Sequence, residues 1–98
     1  MKFVISEPAS EELAEAVRWY EQHRLGVGGR FFDAVSHTID LILVHPEIGV
    51  PREGPLPSRQ FPVSGFPYRI AYRVRDHDIY VIAVAHTSRR PNYWKHRR

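Results

Sequence analysis

From Pro67 to Arg75 the residues Tyr68, Ile70, Tyr72 and Val74 alternate with Arg69, Ala71, Arg73 and Arg75. A period of two puts the first set on one face of a β-strand and the second on the other. Asp76-His77-Asp78 supplies a turn, and Ile79–His86 beyond it is apolar on both faces, as a fully covered strand requires. A β-hairpin is therefore fixed in the second half of the chain. Its apolar face must be buried by something else, and its other face carries Arg69, Arg73 and Arg75.

The first half supplies the cover. Lys2–Ile5 is short and β-prone, and Ser6-Glu7-Pro8 then opens a helix, since proline suits a first helical turn. Ala9, Leu13, Ala16, Val17 and Tyr20 recur at helical steps up to His23, and Arg24 to Gly29 breaks the pattern. A second helix is expected from about Gly29 to Val44, with Phe32, Val35, Ile39, Ile42 and Leu43 as its buried stripe and His45-Pro46 as its end. Residues 46–57 hold four prolines and two glycines, which reads as a loop, and Arg59–Val63 as a further strand. The expected architecture is α+β: an N-terminal strand and an antiparallel helical hairpin packed on an antiparallel sheet of three to four strands, followed by a basic tail. At 98 residues this is a single domain spanning 1–98.

Several function classes fall away. The longest apolar run, Ile79–Ala85, is far below the ~20 residues of a membrane span, and MKFVISEPAS does not read as a signal peptide. There is no cysteine, so no disulfide, thiolate zinc site or cysteine nucleophile. Gly26-Val27-Gly28-Gly29 lacks the Gly-Lys-Ser/Thr of a phosphate loop, and His45-Pro46-Glu47 lacks the cysteine ligands of a zinc deaminase. The six histidines show no ligand spacing, so no metal and no cofactor are expected, in a cytoplasmic protein.

What remains is charge. Residues 1–50 carry four Lys/Arg against eight Asp/Glu and residues 51–98 ten against three, so the halves stand at −4 and +7. Twelve of the fourteen basic residues are arginine, whose rigid fork suits phosphate. A polyanionic partner or simple solubility both account for this. Arg73 and Arg75 either meet a phosphate backbone or solubilise an open sheet face, and Arg69, nearer the middle, reads as a functional or paired residue. The ending, His86 to Arg98, interleaves Arg89, Arg90 and Lys95 with Tyr93 and Trp94, as single-stranded nucleic acid contacts do. Trp94 reads better as packed on the core, and the last arginines as solvated. His86 is either a structural histidine or a general base. The glutamates of the first helix read as a solvated face.

The chain resembles the RelE/ParE superfamily of type II toxins, also called plasmid stabilisation proteins. The resemblance rests on Trp19-Tyr20-Glu21, Gly28-Gly29-Arg30-Phe31-Phe32, Pro46-Glu47-Ile48-Gly49, Phe66 to Val74, Ala83 to His86 and Arg89 to Trp94, in that order over nearly the whole chain. It implies a cytoplasmic toxin that forms a hetero-oligomer with a cognate antitoxin. Two activities follow from its branches: inhibition of DNA gyrase, as in ParE, or metal-independent, ribosome-dependent cleavage of mRNA, as in RelE. A toxin fold that has lost toxicity is a third reading. For a ribonuclease, the resemblance places Arg69, Arg89 or Arg90 as catalytic cations and Tyr93 or His86 in proton transfer, with His96 a further candidate base. Arg59 stands where the RelE branch has lysines, and Arg59, Arg73, Arg75 and Lys95 would bind the nucleic acid or other target. The missing lysines and the Trp-Tyr pair in the first helix lean toward ParE.

Overall fold

A computed structural model describes residues 2–98. The elements run β1 (Phe3–Ile5), α1 (Glu7–His23), α2 (Val27–Val44), β2 (Val50–Arg52), β3 (Ser58–Pro62), β4 (Tyr68–Arg75) and β5 (Asp78–His86). Ser6 caps α1 by accepting the Ala9 N–H on Oγ (3.3 Å), with Pro8 in the first turn. The α2 N-terminus borrows its cap from α1: the Glu21 carboxylate accepts from the backbone N–H of Gly26 and Gly28. Gly28 also lets the helices touch, because a Cβ there would lie 2.6 Å from the Val17 carbonyl oxygen. The buried stripe of α2 is Phe31, Val35, Thr38, Ile39 and Ile42. Phe32, expected inside, is half exposed; the stripe begins one residue earlier, on Phe31.

The sheet has five strands in the order β1-β5-β4-β3-β2, not three or four, and it is not wholly antiparallel, since β1 lies parallel to β5. The helical hairpin returns the chain to the end where β1 leaves the sheet, and the three antiparallel pairings from β2 to β5 then bring β5 in parallel to β1. β2 forms inside the proline-rich segment expected to be a loop. Pro51 is tolerated there because β2 is an edge strand, whose outer N–H positions need no partner.

β5 carries one extra residue, Ile82, between the pairs Ala71↔Ala83 and Tyr72↔Val81. This bulge flips the strand's parity: Ile79, Val81 and Val84 face the helices, whereas Ile82, Ala83 and Ala85 face the other side. Both faces are therefore covered. On the helical side, Phe31, Val35 and Ile42 pack on Ile70, Tyr72 and Val81. On the other, Trp94 is 2% exposed over Ala71, Ile82, Ala83 and Ala85, and its indole N–H donates to Ser58 Oγ (3.2 Å). The residues expected as a basic tail are thus a folded cap, as the packed reading of Trp94 anticipates. Neither helix is long and apolar enough to cross a membrane.

Candidate functional site

The strand arginines share a face, but that face is covered at its middle, where Arg73 lies, while Arg69 and Arg75 are exposed. Arg73 is 7% exposed beneath the segment between β2 and β3 and the C-terminal cap. Its Nε donates to Pro57 O (3.1 Å), its Nη2 to Leu56 O (2.8 Å) and its Nη1 to Arg97 O (2.6 Å). Burial, and then the neighbouring charge of Arg75, pull its pKa below the usual guanidinium range. The outward-facing reading of Arg73 is corrected accordingly: its donors are spent on carbonyls that tie two loops to the sheet. Arg59 shares the helical face with Phe61, and its Nη1 donates to Gly49 O (2.8 Å) and Glu47 O (3.2 Å). The same turn is fixed from below by Tyr72, whose OH accepts from Gly49 N and donates to Pro46 O. Arg59 is therefore across the sheet from Arg69. Arg75 is exposed beside the hairpin turn, with its guanidinium 4.8 Å from the Tyr80 ring centre. Six residues of strand, about 20 Å at ~3.3 Å each, separate it from Arg69. Lys95 is exposed on the cap.

Five of the sequence candidates do come together. Arg69, His86, Arg89, Arg90 and Tyr93 line one cavity of about 120 Å³ under the end of β5, joined by Arg52 and Gln60. Their states differ. The Tyr93 hydroxyl donates to Glu12 Oε2 (2.5 Å), and burial first, then the bond to Glu12 and its charge, push the phenol far above its ordinary pKa. The Arg89 guanidinium lies 4.1 Å from the Tyr93 ring centre and pulls modestly the other way. His86 Nδ1 accepts the Ser88 backbone N–H (2.9 Å), so the neutral ring carries its proton on Nε2. His96 is exposed and outside the cavity lining.

Glu12, read from sequence as one of a solvated row, is the centre of a clasp. Besides Tyr93 it accepts from the Val84 backbone N–H (3.1 Å) and from Arg97 (2.9 and 3.2 Å). Arg97 is likewise not a solvated residue. The signal was present: Glu12 sits three residues after Ala9 and four before Ala16, inside the buried stripe rather than opposite it. Arg52 and Gln60 escaped notice because the short strands carrying them show too little periodicity to assign a face.

A second, larger depression of about 540 Å³ runs between α1 and the ends of β4 and β5, with Trp19 and Tyr20 on one wall and Tyr68 and Val84 on the other. Trp19 is half exposed there and stacks on His23, ring centres 3.9 Å apart. His86 and Arg89 belong to both cavities and so form the partition between them.

Residues 3–91 match the family model described as ParE toxin of type II toxin-antitoxin system, parDE. The chain belongs to the ParE toxin family. It is accordingly the toxin component of a type II toxin–antitoxin system, a ParE toxin whose partner is a cognate antitoxin. Among solved structures, the ParE fold seen here is similar to a chain of the chromosomal ParDE toxin–antitoxin system from P. aeruginosa, with a TM-score of 0.76 at 15% identity. That match covers 88% of this chain and 95% of the other. No curated protein matches by sequence.

Proposed function

We propose that this ParE toxin acts in the cytoplasm as a non-enzymatic poison of DNA gyrase, through protein–protein contact. Inhibition of gyrase is the activity of the ParE branch. The observation carrying the reading is the state of the groups that could move protons. Cleavage of RNA by its own 2′-hydroxyl needs a base for the hydroxyl and an acid for the leaving 5′-oxygen. The Tyr93 phenol is held protonated against Glu12, and His86 presents an N–H rather than a lone pair at Nε2. Guanidinium groups stay protonated and cannot substitute as the base.

The competing reading is ribosome-dependent mRNA cleavage. It draws on the convergence of Arg69, Arg89 and Arg90, which would stabilise a phosphorane. One experiment separates the two. Purified toxin is added to gyrase, ATP and relaxed plasmid, and mRNA 5′ ends are mapped minutes after the toxin alone is induced in cells. The expected result is loss of supercoiling, reversed by the antitoxin, with messages intact. Undiminished supercoiling together with new 5′ ends inside translated codons would overturn it.

A further inference from the structure

The small cavity under the end of β5 has a composition that toxin–gyrase contact does not call for. Four arginines, Arg52, Arg69, Arg89 and Arg90, line it and no Asp or Glu does. Among the described residues the one ion pair is Glu12–Arg97, so none of the four has a carboxylate within ion-pair distance. Like charges gathered in a concave wall repel one another, and the arrangement is relieved by an anion placed between them. The wall is also built rather than merely exposed. Arg52 is fixed by Gln60, which is 5% exposed: with its amide oriented to suit, Oε1 accepts from Arg52 Nε (2.8 Å) and Nη2 (3.0 Å).

We propose that this cavity binds one phosphate group of a nucleic-acid strand and holds it without cutting it. The planar guanidinium forks suit a tetrahedral oxyanion, and about 120 Å³ admits one such group and little more. A strand phosphate fits better than a free ion because positive charge continues past the cavity mouth. Lys95, exposed, directly follows Trp94 of the cavity wall, within a half of the chain that carries +7. The strand stays intact because neither Tyr93, whose hydroxyl donates to Glu12, nor His86, whose Nδ1 already accepts the Ser88 N–H, offers a base to a 2′-hydroxyl. The inference does not rest on gyrase being the target, because binding is read with no gyrase present.

The test is fluorescence anisotropy of the full-length toxin with labelled ~20-nucleotide single strands of DNA and of RNA, at salt from about 50 to 200 mM. Both strands are expected to bind and to be recovered uncut, with inorganic phosphate competing. Arg69→Gln and Arg52→Gln should each weaken binding about tenfold, one charge-assisted bond, and reduce the salt slope by about one. Arg30→Gln, exposed on α2 away from the cavity, should change neither. Melting curves confirm that each variant is folded, and Arg69, being exposed, can be replaced without disturbing the core. Preference for one strand would identify its source and still support the site. The proposal is overturned by the absence of strand binding at 50 mM salt, by an equal loss in Arg30→Gln, by cleavage of the RNA, or by capture of an acidic peptide but neither strand.

Discussion

Glu12 accepts from donors in three separate parts of the chain: the Val84 N–H on β5, the Tyr93 hydroxyl and the Arg97 guanidinium. β1 covers β5 only from Ile79 to Val81, so the backbone beyond is an open edge. The Glu12 carboxylate takes the Val84 N–H there, and Arg97 Nη1 donates to the Ile82 carbonyl (3.0 Å), so two side chains replace a missing strand and protect the edge. Tyr93 makes the clasp sensitive to alkali. Its folded pKa is raised, by burial and by Glu12, above the ~10 of an unfolded tyrosine. The stabilisation is therefore complete below about pH 10 and is lost as the pH climbs from there toward the folded value, because the unfolded chain releases its proton first. Tyr20, Tyr68 and Tyr72 are raised as well, chiefly by burial, and add to the same loss. Urea denaturation between pH 8 and 12 should show the wild type losing stability steeply above pH 10 and Tyr93→Phe losing less. Parallel curves for the two proteins would mean that the Tyr93–Glu12 bond contributes nothing to this dependence.

At the level of elements, the two helices meet through one glycine. A Cβ on Gly28 would fall 2.6 Å from Val17 O and 2.9 Å from Glu21 Cβ, against the backbone of α1, which cannot yield as a side-chain tip can. Gly29, one residue on, has nothing within 4 Å of its would-be Cβ. Gly28→Ala should destabilise by about 1–3 kcal/mol through forced separation of the helices. Gly29→Ala should be neutral or stabilise by up to ~1 kcal/mol through helix propensity. Thermal melts of the pair decide it, and equal melting temperatures would refute the close contact. The Gly-Gly pair was visible in the sequence as a break between helices, yet nothing there distinguishes its two members. The same boundary explains which elements were legible. The helical stripes and the β4 alternation are long enough to reveal their period, so α1, α2 and the β4–β5 hairpin could be placed. β1 and β2 have three residues each, too few to show a direction or to compete with Pro51. The bulge at Ile82 was hidden because Ile79–Ala85 is apolar at almost every position, which conceals a change of face.

Across the whole molecule, the middle of the arginine face, at Arg73, becomes interior because the chain end folds over it, while Arg69 and Arg75 on either side stay exposed. Sequence places Arg69, Arg73 and Arg75 together by period, but whether a face is roofed depends on residues about twenty positions further along. Trp94 is the roof. It buries its ring on Ala71, Ala83 and Ala85, small residues that leave room for it, and against Ile82, while Arg73 Nη1 binds the Arg97 carbonyl from beneath. Replacing a buried tryptophan by alanine costs about 3–5 kcal/mol. Against a net stability of roughly 5–15 kcal/mol this is a large share. Trp94→Ala should therefore melt many degrees below the wild type, and removal of residues 92–98 should leave an unfolded or aggregating chain. Deleting Arg98 alone, an exposed residue, should change the melting temperature little. Tryptophan emission gives an independent reading, because Trp19 is half exposed and the blue-shifted component must come from Trp94. A truncated chain that melts with the wild type would refute the roof, and with it the claim that the phosphate cavity and the fold share one support. Tyr93 and Trp94 line that cavity, so a toxin lacking residues 92–98 should lose strand binding together with stability, whereas Arg69→Gln should lose binding alone.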